Sequence, residues 1–302
     1  MNDRVKRRSR LVLGTAQIGM NYGISNLTGQ PDPETSMAII ETAWKGGIRE
    51  FDTAQAYGTS EKILGRVIQR KNIQDRIKVT TKLSAEIDHM SRKAVFVSVR
   101  QSLSLMGISA IHGLLLHTEQ MLQQWDKGIE CAMKALIDSH LVETVGISVY
   151  SPETAMRALN TDGITAIQIP SNILDRRFEK AGIFDDVMST NKQIYVRSVF
   201  LQGLLFIKSN DLPSNMGFAQ QTLRQFESLV EKYHISRLEL ALGYVKHTYP
   251  HAKIIVGAET PHQVKECLSS WKSVISEDIL NAVRERFINV DKRILHPGRW
   301  LN

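Results

Sequence analysis

The chain has only two cysteines in 302 residues, Cys131 and Cys267, and they stand far apart. That excludes a disulfide framework and points to a reducing compartment with buried or inert thiols. It also lacks any run of 18 consecutive apolar residues, so nothing in it reads as a transmembrane helix. The N-terminus opens Met-Asn-Asp-Arg with no apolar stretch behind its charges, so we expect no secretory signal and a cytoplasmic protein. No G-x-x-x-x-G-K-[ST] loop and no G-x-S-x-G elbow is present, so phosphoryl transfer and serine hydrolysis have no support. The loop Gly14-Thr15-Ala16-Gln17-Ile18-Gly19 follows a strand but lacks the G-x-G-x-x-G spacing of a Rossmann fold. Metal ligation fares no better: His112 and His117 are five apart on one strand and face opposite ways.

Charge of one sign is in modest excess. The net charge is +7, of which Arg4, Lys6, Arg7, Arg8 and Arg10 against Asp3 supply +4 within the first ten residues. We therefore expect a basic, solvated arm over residues 1–10 and a nearly balanced domain over residues 11–302. An anionic partner for the arm is the alternative. No aromatic residues interleave with these charges to stack bases, which argues against nucleic acid.

What the chain does have is alternation. Short apolar strands are expected at Leu11–Leu13, Ile48–Asp52, Ile77–Lys82, Ile111–His117, Thr144–Ser148, Ile164–Ile169, Gln193–Ser198 and Lys253–Gly257. Helical patterns lie between them, such as Glu34–Lys45, Ser60–Arg70, Arg92–Met106, Lys127–Ser139, Phe218–Tyr233 and Ser236–Tyr249. Ser151 followed by Pro152 reads as a helix cap with proline at the first helical position. Eight strands alternating with helices imply a single-domain (β/α)8 barrel, in which chemistry sits at the C-terminal strand ends.

Four polar residues fall at such ends: Asp52, Tyr57 just beyond it, Lys82 and His117. A free phenol has a pKa near ~10 and needs help to donate a proton at neutral pH. An adjacent ammonium favours the phenolate, and a carboxylate holds that ammonium in place. Tyr57 is thus the candidate acid, Lys82 and Asp52 its supports, and His117 a hydrogen bonder to the same substrate oxygen. Any one of them alone is as well explained by structure; together, on successive strands, they describe a site that delivers a proton to a carbonyl.

The run Phe51-Asp52-Thr53-Ala54-Gln55-Ala56-Tyr57-Gly58-Thr59-Ser60-Glu61 with Leu64-Gly65 resembles the D-T-A-x-x-Y-G-x-S-E-x-x-L-G signature of the aldo-keto reductases. The resemblance continues through Thr81-Lys82, Leu115-Leu116-His117, Gly146-Ile147-Ser148, Ile167-Gln168-Ile169-Pro170-Ser171-Asn172, Gly203-Leu204-Leu205 and Ile254-Ile255-Val256-Gly257, spanning Leu11 to about Ser270. It implies a barrel that binds NADP(H) or NAD(H) without a Rossmann domain. It also implies hydride transfer between the nicotinamide and the carbonyl of a small-molecule aldehyde or ketone, with Tyr57 as general acid. It further implies that Ser148 and Gln168 hold the carboxamide, that Gly14 and Thr15 line the floor, and that Gly257, Gln263 and Glu266 lie at the adenosine end.

Three departures stand out. Val149 replaces an asparagine that commonly contacts the carboxamide. Arg197 occupies the place of an aromatic residue that stacks on the nicotinamide, a role a planar guanidinium can also fill. Glu259 replaces an arginine that meets the 2′-phosphate in NADP-using members. A carboxylate there repels phosphate and accepts from a ribose hydroxyl, favouring NADH, unless Glu259 faces solvent and Lys265 or His262 takes over. In the loops, Asn21, Tyr22, Asn26 and Gln202 resemble a bacterial subgroup associated with sugar metabolism. Tyr22 and Gln202 are the candidate substrate contacts for a sugar or sugar derivative; the alternative is that these polar residues merely close loops. Two other readings stay open: a cofactor-binding regulatory subunit with little or no catalysis, and a physiological dehydrogenase using the same residues.

Overall fold

Eight parallel strands close on themselves in sequence order, β1-β2-β3-β4-β5-β6-β7-β8, with β8 pairing back onto β1. They are β1 Leu11–Gly14, β2 Glu50–Asp52, β3 Lys78–Leu83, β4 Ile111–Leu116, β5 Val142–Ser148, β6 Ala166–Pro170, β7 Gln193–Arg197 and β8 Lys253–Val256. The computed structural model describes residues 9–300. All eight expected strands are present, displaced by one to two residues at their ends. Arg4, Lys6, Arg7 and Arg8 of the basic arm lie outside the described residues. Arg10 does not belong to a solvated tail: Nη1 donates to the carbonyls of Tyr249 (2.8 Å) and Ala252 (2.8 Å), and Nη2 to that of Lys246 (2.9 Å). It ties the entry to β1 onto the end of helix Arg237–Thr248.

Alternation along the strands sorts the side chains. Outward-facing residues such as Leu13, Phe51, Val79, Leu114, Ile167, Val196 and Ile254 pack under the helices in the main apolar core. Inward-facing residues stack in layers. At the bottom, Glu50, Tyr195 and Lys253 bind one another, with Lys253 Nζ 2.6 Å from Glu50 Oε2 and 3.2 Å from the Tyr195 hydroxyl. Above them Val12, Leu115, Ala166 and Ile255 form a small apolar plug with the Tyr195 ring. The layer above that is polar and is the floor of the site. Because the side-chain period is two, Asp52 follows Glu50, Gln168 follows Ala166 and Arg197 follows Tyr195 on the same inward face.

Helix starts are read correctly where a cap marks them. Ser151 accepts from Thr154 N with Pro152 in the first turn, and Ser236 and Glu239 form a reciprocal capping box. The expected helix Lys127–Ser139 is instead Ile129–Asp138, preceded by a 3-10 stretch Glu119–Lys127 and broken at Gly128. Gly128 takes φ 142°, a conformation that side chains rarely adopt, so the helix cannot run through it. Cys131 lies exposed on that helix, so the buried alternative holds only for Cys267, whose thiol is pushed up to about 12 by burial; both thiols are free. No helix among the described residues is long and apolar enough to cross a membrane.

Candidate active site

Asp52, Lys82 and Gln168 form one buried chain across the barrel mouth. Lys82 is 1% exposed, and its Nζ donates to Asp52 Oδ2 at 2.7 Å and to the Thr53 carbonyl at 2.9 Å. Asp52 Oδ1 in turn accepts from Gln168 Nε2 at 2.6 Å. Burial by itself pulls the lysine pKa down, but the Asp52 carboxylate and the neighbouring Tyr57 outweigh it and hold the value above its ordinary 10.5. The ammonium therefore stays charged throughout the neutral range.

Tyr57 stands over this chain. Lys82 Nζ lies 4.9 Å from the centre of its ring, and the His117 ring meets it edge-on at 6.0 Å. His117 is pulled down to about 4, first by burial and then by the Lys82 charge. A neutral imidazole at physiological pH is a donor toward one side and an acceptor toward the other, suited to orienting a carbonyl rather than protonating it. A phenol, a fixed ammonium and a neutral imidazole thus converge on one point.

The turn that carries Tyr57 is held from several sides. Tyr57 N bonds the Ala54 carbonyl, Thr59 N bonds the Gly19 carbonyl, and Gln55 Oε1 accepts from Ser84 N (2.8 Å) and Ser98 Oγ (2.9 Å). Beneath it, Ser60 Oγ donates to Thr15 Oγ1 at 2.6 Å, and Thr15 Oγ1 donates to the Asp52 carbonyl at 2.9 Å. Gly19 is required for this approach: a Cβ there would come within 1.8 Å of the Tyr57 carbonyl oxygen.

A cavity of about 440 Å³ runs from Asp52 and Tyr57 to Gln263 and Glu266, within the range of small-molecule sites. Gly14, Thr15, Tyr22, Arg197, Gln202, Gly257 and Glu259 also line it. Ser148 is buried at the end of β5 and Gln168 in the middle of β6, and Val149, which follows Ser148, is buried too. Glu259 is half-buried and points into the cleft, and burial raises its pKa. Lys265 and His262 are exposed and do not line the cavity, whereas Glu259 does. Asn26 closes its own loop, donating to the Tyr22 and Gly29 carbonyls and accepting from Thr28 N and Gly29 N.

Several lining residues carry no signal in the sequence. The loop after β1 and the loop after β7 meet across the cleft: Ile24 N donates to the Gln202 carbonyl at 2.9 Å, and a Cβ on Gly203 would strike Ser25 Oγ. Ser198, Leu201 and Gln202 all take positive φ there (58°, 47° and 53°), a left-handed cluster held by the surrounding contacts. Arg237, at the first turn of its helix, also lines the cavity and fastens this loop by donating to the Leu205 and Ile207 carbonyls and to Glu227. Its only sequence mark is the Ser236…Glu239 capping box, which shows a helix start without saying what it faces.

Gln168 bears on what the site can hold. Asp52 has only acceptor oxygens, so the amide nitrogen must face it and Gln168 Oε1 must face away. That oxygen is buried without a hydrogen-bond partner among the described residues. It needs an N–H donor, which the carboxamide of a nicotinamide would supply, so the residues present fit that group. No group of three or more His, Cys, Asp or Glu side chains among the described residues is placed to hold a metal ion.

Comparison with known proteins places these features in context. The model of the Aldo/keto reductase family matches residues 10–286. The aldo-keto reductase YhdN of Bacillus subtilis (strain 168) is 29% identical over 181 residues, covering 57% of this chain and 53% of that protein. The chain thus spans about half the length of that relative. Among solved structures, the holo form of aldo-keto reductase AKR11C1 from Bacillus halodurans superposes with a TM-score of 0.76 at 21% identity, covering 92% of both chains. The glycerol dehydrogenase AKR11B4 from Gluconobacter oxydans gives 0.74 at 24% identity, covering 92% of this chain and 91% of that one. At these identities the two structures speak for the fold.

Proposed function

Since the chain belongs to the aldo/keto reductase family, whose members are oxidoreductases using NAD(P)H, we propose that it reduces the carbonyl of an aldehyde or ketone with Tyr57 as the general acid. The observation that carries this reading is the packing of a buried Lys82–Asp52 pair and a neutral His117 around Tyr57, which lines the cavity. The reduced nicotinamide supplies a hydride to the carbonyl carbon when bound. Tyr57 then hands its phenolic proton to the carbonyl oxygen, while His117 hydrogen-bonds that oxygen and fixes its direction. Lys82 stabilises the phenolate left behind, and Asp52 keeps Lys82 charged and in place. In the opposite direction the same phenolate takes a proton from an alcohol.

Ser148 and Gln168 are the residues proposed to hold the carboxamide, with Gly14 and Thr15 beneath, and Gly257, Gln263 and Glu266 toward the adenosine. Glu259 lines the cleft with Gln263 Oε1 accepting from its backbone N–H at 2.6 Å. A carboxylate so placed disfavours a 2′-phosphate, and we propose NADH as the preferred reductant. Tyr22 and Gln202 supply hydroxyl and amide groups at the catalytic end, which suits a hydroxylated substrate such as a sugar derivative. Titration with NADH and NADPH tests the cofactor assignment. Tighter NADH binding, reversed roughly ten-fold or more toward NADPH in Glu259→Arg, is expected; tighter NADPH binding by the unaltered protein would contradict it.

A further inference from the structure

Arg197 is the one lining residue of the catalytic end whose charge the proposed reaction does not use. Five other arginines (Arg176, Arg177, Arg237, Arg284 and Arg293) pair with carboxylates at 2.6–2.9 Å. Arg197 forms no salt bridge among the described residues, although it is only partly exposed and shares the cavity wall with Tyr57. Its direction follows from the strand: it lies two residues beyond the inward-facing Tyr195 and so points into the barrel mouth.

The guanidinium is held as a platform. It lies over the Tyr150 ring at 4.1 Å, its Nη2 donates to the Val149 carbonyl at 3.3 Å and its Nη1 to Ser198 Oγ at 3.2 Å. Two of its five N–H donors are committed in these bonds, both long, and neither acceptor carries charge. Its charge acts at the reacting centre: after burial and Lys82 it adds to the lowering of the His117 pKa, and at Tyr22, whose pKa burial and Tyr57 raise overall, it opposes that rise. At the other end of the same cavity stand two carboxylates, Glu259 and Glu266. Arg197 thus brings a positive charge without an ion-pair partner among the described residues to the wall it shares with Tyr57.

We propose that Arg197 anchors a carboxylate of the substrate, so that the preferred substrates are carbonyl compounds that also carry an acid group. This rests on the reductase reading above. An arginine fork matches the two oxygens of a carboxylate, and stacking on Tyr150 fixes its plane in advance, so little rotamer freedom is lost on binding. A neutral substrate would leave the cation part-buried and without a counter-charge, which gives discrimination in both directions.

The test uses two aldehydes of the same shape, 4-formylbenzoate and its amide, 4-formylbenzamide, with NADH saturating. The whole chain is expected to favour the acid in kcat/KM by at least roughly ten-fold. Arg197→Gln is expected to lose roughly 10- to 100-fold on the acid and little on the amide, with its NADH dissociation constant unchanged, which also shows that the variant is folded. Equal losses on both aldehydes with weakened NADH binding would overturn the proposal and place Arg197 against the cofactor instead. Turnover of both aldehydes without preference for the acid would overturn it while leaving the reductase reading standing. Turnover of neither would bring down both.

Discussion

Replacing Lys82 with methionine separates what the buried pair does for stability from what it does for chemistry. Methionine fills a similar volume, but Asp52, only 4% exposed, is left as a buried carboxylate with Gln168 Nε2 as its side-chain donor. Stranding one member of a buried ion pair costs about 3–5 kcal/mol. In a chain of this size each kcal/mol lowers the melting temperature by about 2–4 °C, so a loss of roughly 10 °C is expected. Asp52→Asn should cost a similar amount by stranding the ammonium. The double variant Asp52→Asn/Lys82→Met removes both charges and should recover most of the loss, because the net worth of such a pair against neutral groups is small. Urea unfolding followed by circular dichroism on all four proteins gives the cycle. Activity should stay low in all three variants. The alkaline limb adds a second reading. Lys82 is held above 10.5 in the folded state, so its contribution is fully present below that pH and lost as pH rises through the folded value. Stability of the unaltered protein should therefore decline there more steeply than that of Lys82→Met. Strictly additive losses in the double variant would refute the reasoning.

Two further expectations follow from single contacts. His117 titrates at about 4 in the folded protein against 6.5 unfolded, so its stabilising contribution is present above 6.5 and lost as pH falls toward 4; NMR titration of its ring should show a midpoint near 4, and one near 6.5 would mean the ring is not desolvated as described. Gly19→Ala inserts a methyl 1.8 Å from the Tyr57 carbonyl, so the Tyr57 turn must move; kcat should fall about 100-fold, since displacements near 1 Å carry that cost, with NADH binding weakened far less, and unchanged kcat would show that the turn yields elsewhere.

The barrel was legible because the strands are short and apolar, because several of the helices between them carry caps, as at Asp32, Ser91, Ser151 and Ser236, and because Asp52, Lys82 and His117 break the apolar pattern at the strand ends. The four residues at its reactive end come together as the sequence suggests, since strand ends in a closed barrel share one rim. What the sequence could not show is what depends on loop geometry. Arg237 enters the cavity wall only because the loop after β7 folds back onto a helix start, through a left-handed run in which Gly203 is the one glycine beside Ser198, Leu201 and Gln202. Arg197 reads from sequence as a stand-in for a stacking ring; its guanidinium also lies over Tyr150, just past the end of β5 and two strands earlier in sequence, a contact invisible until the rim is assembled. Arg10 looked like part of a charged tail because its partners are backbone carbonyls near residue 250. Carbonyls leave no trace in a sequence.

The most direct test of the account is turnover by Tyr57→Phe. The unaltered protein should oxidise NADH in the presence of an aldehyde, and the variant, which lacks only the phenolic oxygen, should lose about 100- to 10,000-fold in kcat, the usual worth of a positioned acid, while binding NADH as before. A variant that kept its rate would show that Tyr57 is not the proton donor, and the proposed chemistry would fall with it.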